Sequence, residues 1–334
     1  MRALITASFD PAAKSRLARH MDVVHEDWKE RNHIYFDGAA FARRIADVGA
    51  DVLIVEADLV HSEVLDACPL AMIGCCRGDP VNIDLEGATA KGIPVFHTPG
   101  RNADAVADLT VAFMLMLVRH LAAIHATYHE GAARQVERAS DFLELYKRFT
   151  GRELGGLTVG LVALGAVGRE VAARLVPFKS RVLAYDPYVT APPPGVTMVG
   201  LDVLLRESDV VSLHAPVTPE THGLLSRERL ATMKPTAVLV NTARAALTDE
   251  DALYEMLVAG CLAGAALDVL RTEPLQPGER FLALPNVIVT PHVGGATLDV
   301  VRHQSEIVVD AIERHLRGER PRWVANPAVY DGRR

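Results

Sequence analysis

Short apolar runs recur along the chain with room for one helix between each pair. In the first hundred residues they are RALITAS, DVVHED, DVLIVEA, AMIGCC and PVFHT, separated by helix-like stretches such as GAAFARRIADVG. Runs this short, bounded by turn residues, predict strands buried on both faces, and their alternation with helical patterns predicts a parallel sheet with crossover helices. A second series follows from residue 157: LTVGLVAL, RVLAYD, DVVSLHA, AVLVNTA, AGAALDVL and NVIVTPH. Six strands in this rhythm fit a dinucleotide-binding sheet. The expected class is α/β, with two domains built on parallel sheets.

The segments between and after the two series read differently. NADAVADLTVAFMLMLVRH, Asn102 to His120, is apolar on nearly every side, which predicts a helix buried between layers or between subunits. Residues 121–156 are more polar, show no strand pattern and end in GRELGG, so they read as a helix and a long connection. ATLDVVRHQSEIVVDAIERHLRG predicts an amphipathic helix, with Gly318 at its end and Pro321 beyond.

Size and charge narrow the class. At 334 residues and 49% apolar, the chain exceeds what a single core of at most about 250–300 residues holds, which again predicts two domains. The formal charge is −7 and the basic residues are scattered, so no nucleic-acid partner is expected. No uncharged apolar run reaches the roughly 18 residues of a membrane span, and MRALITASFD has no apolar core of a signal peptide. A soluble, unprocessed, cytoplasmic protein without a membrane partner is the expectation. The cysteines at 68, 75, 76 and 261 have no metal-ligand or disulfide spacing. They read as small buried hydrophobes of a reducing compartment, with Cys75 and Cys76 pointing to opposite faces of one strand, and no metal is expected.

Candidate chemistry begins where strand TVGLVAL runs into GAVGREVAARL. Ala163-Leu164-Gly165-Ala166-Val167-Gly168 has the strand, turn and helix start of a pyrophosphate-binding fingerprint. Gly165 lets the backbone approach phosphate and Gly168 lets the helix pack close to the strand. Ala163 takes the place of the first glycine, which it can fill if its φ stays negative. Asp186 closes RVLAYD roughly twenty residues on, where a carboxylate accepts from a ribose and repels a 2′-phosphate. Pro187 and Tyr188 follow with no nearby cation, so NAD is favoured over NADP. Further on, Arg244, Asp268, Glu273 and His292 follow three strand ends, the edge at which open α/β sheets bind ligands.

NTARAALTDEDAL, GAALDVLRTEPL and TPHVGGAT resemble the three signature segments of the D-isomer-specific 2-hydroxyacid dehydrogenases. VNIDLEGATAKGIPVFHTPGRNADAVAD is similar to that family's segment joining its two domains. The resemblance implies a flavodoxin-like substrate-binding domain, residues 1–101 and 294–334, and a Rossmann-like NAD-binding domain, residues 102–293, with the active site in the interdomain cleft. It implies Arg244 as ligand of the substrate carboxylate and carbonyl, His292 as general acid/base and Glu273 as its partner. Asp268 would hold the nicotinamide amide, while His214, Ala215, Pro216, Thr221, Thr242, Ala243 and Gly294 would line the dinucleotide. The loop CCRGDPVN would bind the substrate carboxylate through Arg77, Gly78 and Asp79.

The residue types suit the reaction. Oxidising a 2-hydroxy acid removes a hydroxyl proton while hydride leaves C2 for the nicotinamide, so a base is needed on one side and the ring on the other. A carboxylate bonded to the imidazole would fix its tautomer and favour the donating form, and a guanidinium binds a carboxylate through two parallel bonds. The chain resembles the phosphoglycerate dehydrogenase-like branch, with departures: Ala163, Ala245 after the arginine where Gly is common, Asp108 where Glu is common, and Arg77 and Pro80 in the substrate loop. Cys75 and Glu56 stand where a phosphate-binding Arg would be looked for. The expected function is NAD-dependent hydride transfer to or from C2 of a small 2-hydroxy or 2-keto acid, with a sugar acid or phosphorylated acid within range. The expected assembly is a homodimer built on the cofactor domain. Two rivals carry less: a non-catalytic NAD-sensing scaffold of the same superfamily, and a formate dehydrogenase.

Overall fold

The structure is a computed structural model and describes residues 1–129 and 138–331. The chain divides into two compact units, Met1–Arg101 with Thr297–Arg334, and Asn102–Ala296.

The first unit carries a five-stranded sheet of β1 (Arg2–Ile5), β2 (Asp22–His25), β3 (Val52–Val55), β4 (Met72–Cys75) and β5 (Val95–Phe96) in the order β2-β1-β3-β4-β5. Every pairing is parallel. Strand alternation sends Leu4, Leu53, Ile73 and Cys75 to one face, against Phe41 and Ile45 of the helix Gly38–Val48. Ile5, Ile54, Met72 and Cys76 go to the other face, against Val308 and Ile312. The adjacent thiols therefore lie in different layers, as alternation requires. Val308 and Ile312 belong to the helix Leu298–Leu316, so the C-terminal segment completes a unit begun by the N-terminus. That helix lies close enough that a Cβ on Gly74 would fall 2.7 Å from Val308 Cγ1.

The second unit carries β6 (Thr158–Val162), β7 (Arg181–Tyr185), β8 (Val196–Met198), β9 (Val210–Leu213), β10 (Val238–Asn241), β11 (Gly264–Leu267) and β12 (Val287–Val289). Their order is β12-β11-β10-β9-β6-β7-β8, all parallel. Six strands are expected from the sequence and seven are present. The additional one, β8, is three residues long with only Val196 buried, and it follows a proline run, so no period shows. The chain reverses its direction of travel across the sheet between β6 and β9. A crevice opens outside the carboxyl ends of such a pair of strands.

The apolar segment after Arg101 forms the helix Ala103–Val118, which buries Ala107, Val111, Phe113 and Met114 against Val159, Leu161 and Val240 of the sheet. Its polar side is tied to the helix Ala166–Leu175 by Arg174, which donates to Asp108 (2.7 Å), Asp104 (3.0 Å) and Glu170 (2.8 Å). Asp108 is thus an ion-pair partner. Where one helix and a long connection are expected, the described residues hold two helices, Leu121–His129 and Ala139–Arg148; residues 130–137 lie outside them.

No single helix among the described residues is long and apolar enough to cross a membrane. Cys68, Cys75 and Cys76 are buried and all four thiols are free, but Cys261 is exposed. The expectation of a buried residue fails at Cys261 because it follows Gly260, in the left-handed turn that ends the helix Glu250–Val258.

Candidate active site

The turn after β6 is built by close approach of backbone. Ala163 has φ 75°, so the expectation of a negative φ is corrected: Ala occupies a left-handed position, at a cost of roughly 1–2 kcal/mol. Its N–H donates to Tyr185 O at 2.7 Å, continuing the β6–β7 ladder by one bond. A Cβ on Gly168 would lie 2.3 Å from the Ala163 carbonyl oxygen, so glycine is required there for the helix to reach the strand. Gly165 has ordinary backbone, and a Cβ on it would meet nothing within 4 Å. The first-turn N–H groups of Ala166, Val167 and Gly168 meet no acceptor among the described residues. Open space before uncapped N–H groups at a helix start suits a pyrophosphate.

Asp186 sits just past the end of β7 and closes the turn from the side. Its Oδ2 accepts the Leu164 N–H (2.9 Å) and its Oδ1 accepts the Tyr188 N–H (2.8 Å), while Pro187 lies exposed between. A carboxylate has about four acceptor positions, so room remains for ribose hydroxyls.

The residues expected along the dinucleotide divide into side chains left free and side chains engaged within the protein. The His214 ring, past the end of β9, is buried with both nitrogens unpartnered, and burial pushes its pKa down to about 4. It is a neutral imidazole with an unmet donor and an unmet acceptor, beside Gly168. Ala215 is buried and Pro216 exposed. Thr221 Oγ1 closes its own turn, donating to Pro216 O (2.6 Å) and accepting the Thr218 N–H (2.7 Å). The Thr242 hydroxyl is paired with Thr110 Oγ1 at 2.9 Å, and Ala243 N–H donates to Asn241 Oδ1 at 3.1 Å.

The loops after β10, β11 and β12 bring together the residues expected to act as acid, base and anchor. His292 Nδ1 lies 2.7 Å from Glu273 Oε2, and Glu273 Oε1 accepts the Leu270 N–H at 3.2 Å. A carboxylate only accepts, so Nδ1 carries a proton and Nε2 is left to exchange one. The imidazole is half-exposed, and His292 has φ 56°. Asp268, 1% exposed, holds that conformation: Oδ1 accepts Thr290 Oγ1 (2.6 Å) and Val293 N–H (2.8 Å), and Oδ2 accepts Gly294 N–H (2.8 Å). Gly294 is needed because a Cβ there would sit 2.9 Å from Oδ2. Sequence reasoning identified Asp268 but missed Thr290 and the bonding that organises the histidine loop. The partners are 22 to 26 residues apart, and only the polar Thr290 after an apolar strand hinted at them.

Arg244 is exposed after β10. One of its guanidinium nitrogens donates to Ala243 O at 2.6 Å, and no carboxylate among the described residues pairs with it. Arg244, Glu273 and His292 line one cavity of about 720 Å³, together with His222, Glu250 and Arg271. In the first unit, Arg77 is half-buried, Gly78 and Asp79 are exposed, and Arg77 makes no ion pair with Asp79.

Sheet order and glycine turn define a dinucleotide-binding α/β protein of two compact units. The profile for the D-isomer specific 2-hydroxyacid dehydrogenase, NAD binding domain, matches residues 111–294. The chain is 37% identical over 316 residues to a glyoxylate reductase of Thermofilum pendens, covering 92% of this chain and 88% of that one. It is 38% identical over 283 residues to a D-3-phosphoglycerate dehydrogenase of Methanocaldococcus jannaschii, covering 83% of this chain and 52% of the other. Among solved structures, the TT0316 protein of Thermus thermophilus superposes with a TM-score of 0.80 at 38% identity, over 97% of this chain and 100% of that one. The protein belongs to the D-isomer specific 2-hydroxyacid dehydrogenase family, as an NAD-dependent oxidoreductase acting on CH–OH donors.

Asp186→Ala is expected to narrow the preference for NADH over NADPH, because ribose bonds and phosphate repulsion go together. The check is kcat/KM with each cofactor; a parent enzyme that uses both equally contradicts the assignment.

Proposed function

We propose that the protein interconverts a small 2-keto acid and its D-2-hydroxy acid, with His292, Glu273 and Arg244 as the working residues. The observation that carries this is the 2.7 Å His292–Glu273 pair in one cavity with an arginine that has no carboxylate partner. When bound, the nicotinamide supplies or takes the hydride at C2. In reduction, His292 Nε2 gives its proton to the C2 oxygen as that oxygen gains charge; in oxidation it takes the hydroxyl proton back. Glu273 keeps Nδ1 protonated and the ring aimed. Arg244 binds the substrate carboxylate and turns C2 into place.

The glycine turn, Asp186 and the unpartnered His214 support a dinucleotide along β6, β7 and β9. Asp268 Oδ2 has an acceptor position left for a nicotinamide amide. The loop Arg77–Asp79 is assigned to the substrate. An unpaired Arg77 supports a substrate with a polar or anionic far end, such as a sugar acid or a phosphorylated acid. Unpaired thiols support a cytoplasmic location.

A homodimer built on the second unit is part of the same reading. Leu121, Tyr128, Phe142, Leu143 and Tyr146 are 46–68% exposed over the two helices after Ala103–Val118, an apolar surface that a second copy would cover. Sedimentation at micromolar concentration is expected to give twice the 36.2 kDa chain mass, and a monomer contradicts it.

His292→Ala is expected to lower kcat by on the order of 10²–10⁴ while NADH still binds. Turnover equal to the parent's rejects the mechanism.

A further inference from the structure

The loop after β4 is held from behind by the residues that follow β5. The Thr98 N–H donates to Arg77 O at 2.8 Å, and His97 Nδ1 lies 2.9 Å from Gly78 O. A carbonyl only accepts, so Nδ1 carries the proton. In a trans peptide the C=O and the N–H that follows it point in opposite directions. Two consecutive carbonyls drawn toward residues 97 and 98 therefore turn the N–H groups of Gly78 and Asp79 away from them. Among the described residues neither N–H meets an acceptor, and Pro80 ends the series because it has none. Successive N–H groups freed in this way form a concavity that binds an anion. The residue is held on its other side as well: the His97 backbone N–H donates to Trp323 O (3.3 Å), and the imidazole stands edge-on to the Trp323 ring at 6.3 Å.

We propose that His97 is a positioning residue for substrate binding: its Nδ1–H anchors the Gly78 carbonyl so that the Gly78 and Asp79 N–H groups are presented to the substrate carboxylate. This rests on the assignment of that loop to the substrate. His97 touches neither substrate nor cofactor and acts by fixing the Gly78–Asp79 peptide. The same contact viewed as a simple loop staple has a different consequence, because a staple affects stability rather than the affinity for one ligand.

The test uses the full chain, with NADH oxidation followed on glyoxylate and hydroxypyruvate. His97→Leu keeps the bulk and removes the donor; His97→Asn restores an amide N–H at the same distance along the side chain. His97→Leu is expected to raise KM for the keto acid about tenfold or more, the effect of losing an oriented bond to a charged group. Its kcat is expected to stay within about threefold and KM for NADH to hold, as for a group that contributes uniform binding. His97→Asn is expected to recover most of the lost affinity. An unchanged KM in His97→Leu overturns the proposal. So does an Asn variant as impaired as the Leu variant, or a joint fall of kcat, NADH affinity and melting temperature. A parent enzyme that reduces no 2-keto acid defeats the functional assignment and this proposal with it; an active parent with unaffected variants defeats this proposal alone.

Discussion

The buried carboxylate of Asp268 is the constraint on which the proposed catalytic geometry depends. Its three accepted bonds, from Thr290, Val293 and Gly294, fold the residues after β12 back over the end of β11. That fold puts His292 at φ 56°, a conformation costing a non-glycine residue roughly 1–2 kcal/mol. Hydrogen bonds to a charged group contribute roughly 1.5–3 kcal/mol each, so three of them outweigh the strain with a margin. The imidazole then meets Glu273 from the neighbouring loop through Nδ1, and Nε2 is the nitrogen left for the proposed proton exchange. Neither His292 nor Glu273 holds the other's backbone; both are carried by loops that Asp268, Leu270 and Gly294 shape.

The cofactor end follows a related logic with a different balance. Ala163 also adopts a left-handed conformation, just past the last ladder bond to Tyr185, and the close contact that needs a missing side chain is at Gly168. Asp186 ties the turn to the end of β7 through Leu164 and Tyr188, so the carboxylate proposed for the ribose and the turn proposed for the pyrophosphate form one bonded assembly. A substitution at Asp186 is therefore expected to act on the turn as well as on the proposed cofactor choice.

Much of this was legible in the chain. Buried parallel strands are short apolar runs, and eleven of them stand out by pattern; β8 does not, because three residues beside a proline run carry no period. Arg244, Glu273 and His292 are visible as polar residues following strand ends, and their motifs give the family. What stays hidden depends on contacts remote in sequence. The positive φ of Ala163 goes with the close approach of its carbonyl to Gly168, the contacts of Asp268 lie with Thr290 and the loop beyond, and the exposure of Cys261 follows from where a helix stops. The hydroxyls of Thr221 and Thr242 look free in the sequence, yet each is engaged within the protein, one by its own turn and one by Thr110.

The most direct test of this account is the turnover of Asp268→Asn. The amide can still accept from Thr290 and Val293, but its NH₂ group faces the Gly294 N–H, donor against donor. The loop is expected to release and His292 to move, and displacement by about 1 Å costs on the order of 10² in rate. In a folded protein kcat for keto-acid reduction is expected to fall by that factor. A folded Asp268→Asn enzyme with the parent's kcat would show that the histidine is placed by something else.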